Sequence, residues 1–327
     1  MRAGSVGIDP ELIGQRLTLR LHDSEGGYRD LVGILESATT IRKRSGEIVE
    51  FDPSQIAIVH PIKEVPQKAG SGAPLSLRIA ELESLSTQTW PPREIKSLGS
   101  WQLRISDGVT YRANSVFVSG PPAFGNPGFE IDQAIEQVEK IYAEANLPAV
   151  FHLVHPMYQE FADYLLAKGW KEKVGAAFMV YDITDSLDVS DTVTKKSLTL
   201  LNQDSPTPEF LALHNDEILE SIMNSYPARY LSLLSDGVTV ATARMAISQS
   251  WAIVTRLIVA ESHRRQGLAE LLMQACLGYS RAQGVQKMCL QVDRTNTGAQ
   301  ALYDKLGFRL HHTYSFIERE NRSECAC

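Results

Sequence analysis

"VTRLIVAESHRRQGLAELLMQACLGYSRAQG", Val254 to Gly284, opens with an apolar strand, passes through a short basic loop and closes in a helix. Leu268, Leu271, Leu272, Ala275, Cys276 and Tyr279 recur at helical spacing, so one face is apolar and packs inward. The loop therefore sits at a helix N-terminus. Unpaired backbone N–H groups and the positive end of the helix dipole favour an anion there, a phosphate above all. Gly267 lets the backbone approach it, and Arg264 and Arg265 add fixed positive charge. A solvated helix cap would read the same way.

Working outward, "KMCLQV" predicts a strand and "LQVDRTNTGAQALYDKLGF", Leu290 to Phe308, continues it through a second helix. Together the two stretches resemble the GNAT superfamily of N-acetyltransferases. The family's loop, Arg or Gln, two residues, Gly, one residue, then Gly or Ala, is met by Arg264, Gly267 and Ala269. The resemblance spans about residues 195 to 318. It implies acetyl-CoA as acetyl donor, with Arg264, Arg265, Gln266, Gly267, Leu268 and Ala269 at its pyrophosphate. It also implies that backbone groups of Leu257 and Val259, at a bulge in the preceding strand, meet the pantetheine arm and polarise the thioester.

Tyr303 matches the family's acid for the departing thiolate, although Ala299, Leu302, Tyr303 and Leu306 also form a helical stripe on which a tyrosine could simply pack. Asn296 matches the family's Asn before that helix and equally suits an N-cap. A lysine-like amine is protonated at neutral pH, so it needs a base or a lowered pKa. Many relatives carry a carboxylate in the strand before the loop, and "SWAIVTRLIV" has none. Asp293 is taken as the candidate base, with Glu261, His263 and a water relay as alternatives. The resemblance implies direct attack by the amine, and Cys289, inside a strand with no evident activating base, agrees with that.

Upstream, "SDGVT" occurs at Ser106 to Thr110 and again at Ser235 to Thr239. Each copy reads as an Asp-Gly hairpin followed by helix, strand, helix and final strand, with the second helices ending at Gly169-Trp170 and Gly307-Phe308. Aligned from those ends, Val154 falls on Val292. The order suggests one unit built twice, as in tandem GNAT proteins, against coincidental α/β similarity. In the first copy the loop "SGPPAFGNPGFE", Ser119 to Glu130, holds three prolines and no Lys or Arg, which predicts a scaffold half without a pyrophosphate site. "RANSV" at Arg112 to Val116 reads as an exposed face, with the lining of an acceptor cleft between the copies as the alternative. His152 and His155 alternate across a strand and read as structural.

Ahead of both copies, "RLTLRL", "YRDLVGILES", "EIVEF" and "SQIAIVHPI" predict short antiparallel strands with Leu17, Leu19 and Leu21 facing inward. Their spacing resembles SH3-like modules, for which a docking or structural role is the default. The expected fold class is α+β: an SH3-like β-barrel over 1–65, a linker over 66–76, a degenerate GNAT-like half over 77–184 and a catalytic half over 185–327.

The net charge of −7 disfavours a general nucleic-acid or anionic-membrane binder and would suit a basic protein or polyamine acceptor. No signal peptide or membrane span is expected, and Cys276, Cys289, Cys325 and Cys327 lack metal or redox spacing, so no metal site is expected and a reducing cytoplasm fits. The reading is an acetyl-CoA-dependent N-acetyltransferase acting on an unidentified primary amine, a protein lysine or a small molecule. Its rival is a non-catalytic acyl-CoA-sensing or interaction module.

Overall fold

The computed structural model describes residues 8–23, 26–43, 46–62, 68–183, 198–214 and 219–319. They form two units, 1–67 and 68–327. The Cys325 and Cys327 tail and the boundary between residues 184 and 185 lie outside the described residues.

The first unit carries β1 (Arg16–His22), β2 (Tyr28–Ser37), β3 (Thr40–Arg42), β4 (Ile48–Glu50) and β5 (Ile56–Pro61). Its antiparallel order is β4-β3-β2-β1-β5. Alternation places Leu17, Leu19 and Leu21 in the interior with Leu35, Ile41, Phe51 and Ile56. Gly33 is needed where β2 and β3 press together, because a Cβ there would lie 2.2 Å from the Arg42 carbonyl oxygen. Where the sequence predicts an SH3-like barrel, the described residues show this antiparallel sheet, with no ladder joining β5 to β4.

The second unit opens with Lys68 to Pro74, which the sequence reading gives to a linker. Ala69 is buried there and its N–H is bonded to Asp182 Oδ1, so this stretch is docked. Then follow α1 (Leu75–Thr89), β6 (Glu94–Leu98), β7 (Trp101–Ile105), β8 (Val116–Phe117), α2 (Ile131–Glu144), β9 (Val150–His155), α3 (Gln159–Ala167) and β10 (Lys171–Asp182). Next come β11 (Leu198–Gln203), α4 (Pro208–Ala212), α5 (Leu219–Met223), β12 (Ala228–Ser235), β13 (Val238–Ser248) and β14 (Trp251–Val259). The chain ends on α6 (Leu268–Ala282), β15 (Lys287–Asp293), α7 (Thr297–Lys305) and β16 (Arg309–Glu318).

Among the described residues of this unit, all eleven strands share one sheet, ordered β11-β12-β13-β14-β15-β10-β16-β9-β8-β7-β6. At its centre the final strands change places. β10, from the earlier half, lies between β15 and β16, and β16, from the later half, lies between β10 and β9. The two parallel pairs, β14 with β15 and β8 with β9, flank this crossing on either side.

Register fixes the faces. Leu290 and Val292 on β15 pack with Leu272 and Met273 of α6, whereas Gln291 between them reaches Ser86 of α1. Helix α1 thus covers the face opposite α6. Its buried side includes Glu83, which accepts a hydrogen bond from Arg112 and contacts His312.

That contact corrects the reading of "RANSV". Arg112 is drawn inward by Glu83, and Ala113, Asn114, Ser115 and Val116 are buried. The first Asp-Gly is not a two-residue hairpin either. Asn114 gathers Ser106 N–H, Gly108 N–H and the carbonyls of Val109 and Thr110 into a longer loop, and only β8 returns to pair with β7. The second copy turns as expected, with Asp236 and Gly237 both at positive φ between Ser235 and Val238. His152 is buried against Arg104 Nη2 at 2.9 Å, and His155 meets Ser315.

Candidate active site

The site begins where β14 and β15 part. Their parallel pairing runs from Trp251 with Lys287 to Val254 with Leu290, and β14 then continues to Val259 without β15 beside it. A cleft of about 1300 Å³ opens there, lined by the end of β14, the loop before α6, the end of β15 and α7. Five residues beyond the last shared pair are thus freed to face it.

A bulge shapes this wall. Thr242 pairs with Ile258 and Arg244 with Thr255, so Arg256 and Leu257 together oppose Ala243. Arg256 carries the cost of the turn at φ 56°. Past the bulge, Ala260 N–H bonds to the Val240 carbonyl. Strand alternation then turns the backbone groups of Leu257 and Val259 away from β13, to the side that β15 has left.

The loop and α6 close one end of the cleft. Gly267 is the N-cap in left-handed geometry, φ 81°, and the first ladder bond runs from Leu271 N–H to its carbonyl. The N–H groups of Leu268, Ala269 and Glu270 precede that ladder and have no acceptor within the helix. A Cβ on Gly267 would meet nothing within 4 Å, so the glycine serves the backbone conformation. Arg264 is 60% exposed and lies 3.3 Å from Glu261, which is itself 86% exposed. Arg264 and Arg265 line the cleft, and Gln266, exposed in the same loop, reaches back to the Ser262 carbonyl.

Tyr303 lies on the α7 wall, 6% exposed, its ring against Phe308. Burial, and then the neighbouring Cys276, pushes its hydroxyl up to about 12. Among the described residues that hydroxyl has no hydrogen-bond partner. Asn296 is the N-cap of α7, accepting from Ala299 N–H at 3.1 Å, and it also lines the cleft. Asp293 stands at the rim, where its Oδ1 accepts from the Thr295 N–H at 2.7 Å and from its hydroxyl at 2.6 Å. His263 is turned to Ser262, 2.9 Å away. The cleft therefore unites Leu257, Val259, Arg264, Arg265, Gly267, Leu268, Ala269, Asp293, Asn296 and Tyr303.

It also brings in residues to which the sequence reading gives no role. His214 and Gln291 line the same cleft, and Gln291 is tied to Ser86. His214 is buried in the turn after α4, whose N-cap Thr207 bonds the Phe210 N–H. The "TP" before this short helix is a capping signal in the sequence; nothing there marks His214.

Comparison with known proteins accords with this geometry. Residues 77–317 match the family described as "Probable histone acetyltransferase Rv0428c C-terminal". The probable histone acetyltransferase Rv0428c of Mycobacterium tuberculosis is 25% identical over 328 residues, covering 94% of this chain and 96% of the relative. The uncharacterized N-acetyltransferase YobR of Bacillus subtilis is 27% identical over 241 residues, covering 70% and 94%. Among solved structures, a GCN5-related N-acetyltransferase from Kribbella flavida has a TM-score of 0.57 at 20% identity, covering 75% of this chain and 96% of that one. A tandem GNAT protein from the clavulanic acid biosynthesis pathway has a TM-score of 0.50 at 16% identity, covering 79% and 90%. The chain belongs to the family of the Rv0428c C-terminal acetyltransferase and is an N-acetyltransferase of the GNAT type.

Proposed function

We propose that the chain moves the acetyl group of acetyl-CoA to a primary amine by direct attack. The observation that carries this reading is that one cleft is lined by the first residues of α6, by Leu257 and Val259 past the bulge, and by Tyr303. The donor set suits acetyl-CoA: N–H groups and Arg264 and Arg265 for the pyrophosphate, strand backbone for an amide-bearing arm, and a long cleft between. Gln266, Leu268, Ala269 and Asn296 complete the cradle.

In this reading the Leu257 and Val259 backbone polarises the thioester carbonyl, and Tyr303, protonated throughout the neutral range, donates to the departing thiolate. Asp293 takes the amine's proton at the rim, directly or through water, with the carboxylate oxygen that Thr295 leaves open. The earlier half serves as scaffold. Its loop holds Phe124 against Phe161 and Tyr164, with Trp101 bonded to the Phe124 carbonyl, and Leu165 stands at the position matching Tyr303. The strand order of the first unit suits an SH3-like barrel that recruits a protein acceptor. The buried free thiols of Cys276 and Cys289 fit a reducing cytoplasm.

A basic protein lysine is the favoured acceptor, supported by the net charge of −7 and by the printed name of the M. tuberculosis relative. The test is calorimetric titration of acetyl-CoA into the intact chain, followed by acetylation of a histone-like basic protein, a polyamine and an aminoglycoside. Micromolar binding with turnover of the basic protein supports the reading. Binding without turnover of any of the three removes the proposed acceptor class.

A further inference from the structure

We infer that His214 is a positioning residue that staples the β13–β14 bulge, holding the Arg256 side chain and with it the backbone turn at the cleft. The inference rests on the acetyl-transfer reading above for what that turn does. Its geometry stands independently.

The imidazole bridges both strands of the bulge. Its Nε2 lies 3.2 Å from Thr242 Oγ1 on β13, and its Nδ1 lies 3.0 Å from Arg256 Nη2 on β14. Thr242 is the last residue in register before the shift, and Arg256 is the residue at φ 56° that makes it. A guanidinium only donates, so Nδ1 must be the bare nitrogen and Nε2 carries the proton, which it gives to Thr242. Neither ring nitrogen is then left to accept a proton from an amine. Phe210 packs on the ring at 5.0 Å, and His214 N–H is tied to the Leu211 carbonyl, so the imidazole is fixed from behind as well. Burial, and then the Arg256 charge, lowers its pKa to about 4, which agrees with a ring neutral at working pH.

A histidine in an acetyltransferase cleft with no carboxylate on the preceding strand invites the role of general base. The hydrogen bonds assign it the other role. The bulge turns Leu257 and Val259 to the cleft, and a displacement of about 1 Å at a reacting centre costs on the order of 100-fold.

The test uses the intact chain. Histidine-labelled protein in a long-range proton–nitrogen spectrum should show His214 as the Nε2–H tautomer, unchanged from pH 8 to pH 5; a ring that gains a proton above pH 6 overturns the assignment. In kinetics, His214→Asn keeps an acceptor near Nδ1 and should restore most of the activity. His214→Gln and His214→Ala should lose roughly 10- to 100-fold in kcat/KM without a change in the shape of the pH profile. His214→Asn as poor as His214→Ala, or a pH limb that vanishes with the histidine, overturns it. If the unaltered chain acetylates no amine, the acetyl-transfer reading fails, and the tautomer spectrum alone decides for or against the staple.

Discussion

Glu83 Oε2 accepts a hydrogen bond from Arg112 Nη1 at 2.8 Å in a place where the carboxylate is wholly buried and the guanidinium nearly so. Burial alone would push the Glu83 carboxyl up. Arg112, then His152 and His312, outweigh it and hold the group well below its ordinary value. Breaking this pair from one side leaves a charge stranded beneath the sheet. Glu83→Gln should cost about 3–5 kcal/mol in chemical denaturation, and the double change Glu83→Met with Arg112→Met should recover most of that loss. The pH dependence has a definite sign. Because the folded carboxyl lies below its ordinary 4.5, the contribution is present above that value and is lost as pH falls through the folded value. The wild type should therefore lose stability below about pH 4.5 more steeply than the double variant.

The same pair shows why part of the fold escapes a reading of the sequence. Helices α2 and α6 are legible because each carries its own apolar face. Helix α1 is not, since its buried side includes Glu83, Ser86 and Thr89, which erase the hydrophobic period. Arg112 reads as surface because its partner is 29 residues away. At the site, the spacing of Arg264, Gly267 and Ala269 carries the family resemblance, and Tyr303 enters as what that resemblance implies. His214 acquires its place only when the chain returns through Thr242 and Arg256, and no spacing encodes that.

The exchange of β10 and β16 predicts how the chain can be cut. A fragment of residues 185–327 lacks β10 and leaves exposed the flanks of β15 and β16 that β10 covers. It should show no cooperative thermal transition by circular dichroism, whereas residues 68–327 should melt cooperatively. Mixing 68–184 with 185–327 should restore the transition, because the crossing can form between two chains. Independent folding of 185–327 would contradict a shared central sheet.

In the proposed reading, charge and backbone conformation at the mouth of the cleft make separable contributions to acetyl-CoA binding. Arg264→Glu should weaken calorimetric affinity by roughly tenfold and blunt its salt dependence, in proportion to one lost charge-assisted contact. Gly267→Ala changes no charge and meets no neighbour, so its effect is strain alone, about 1–2 kcal/mol for a side chain held at φ 81°. That strain should appear as a lower Tm as well as weaker binding. Arg264→Glu should leave Tm nearly unmoved, since its ion pair with Glu261 is exposed.

Tyr303 offers the sharpest separation of chemistry from binding. Its ring packs against Phe308, which Tyr303→Phe preserves, so the substitution removes the hydroxyl and little else. In the proposed reading that hydroxyl is the acid that meets the departing thiolate, so it should be worth roughly 10²- to 10⁴-fold in kcat, with acetyl-CoA affinity unchanged. Burial keeps the proton in place: with the folded value at about 12, the acid form persists through neutral and mildly alkaline pH and is lost only as pH approaches that value. Any alkaline limb in kcat below about pH 10 must then come from another group and should survive in Tyr303→Phe. The same sign holds for stability, since a folded value above the ordinary 10.0 gives a contribution that is full below pH 10 and lost as pH rises toward 12. An unchanged kcat in Tyr303→Phe would leave Tyr303 as packing beneath the cleft and move the search for the acid to a bound water.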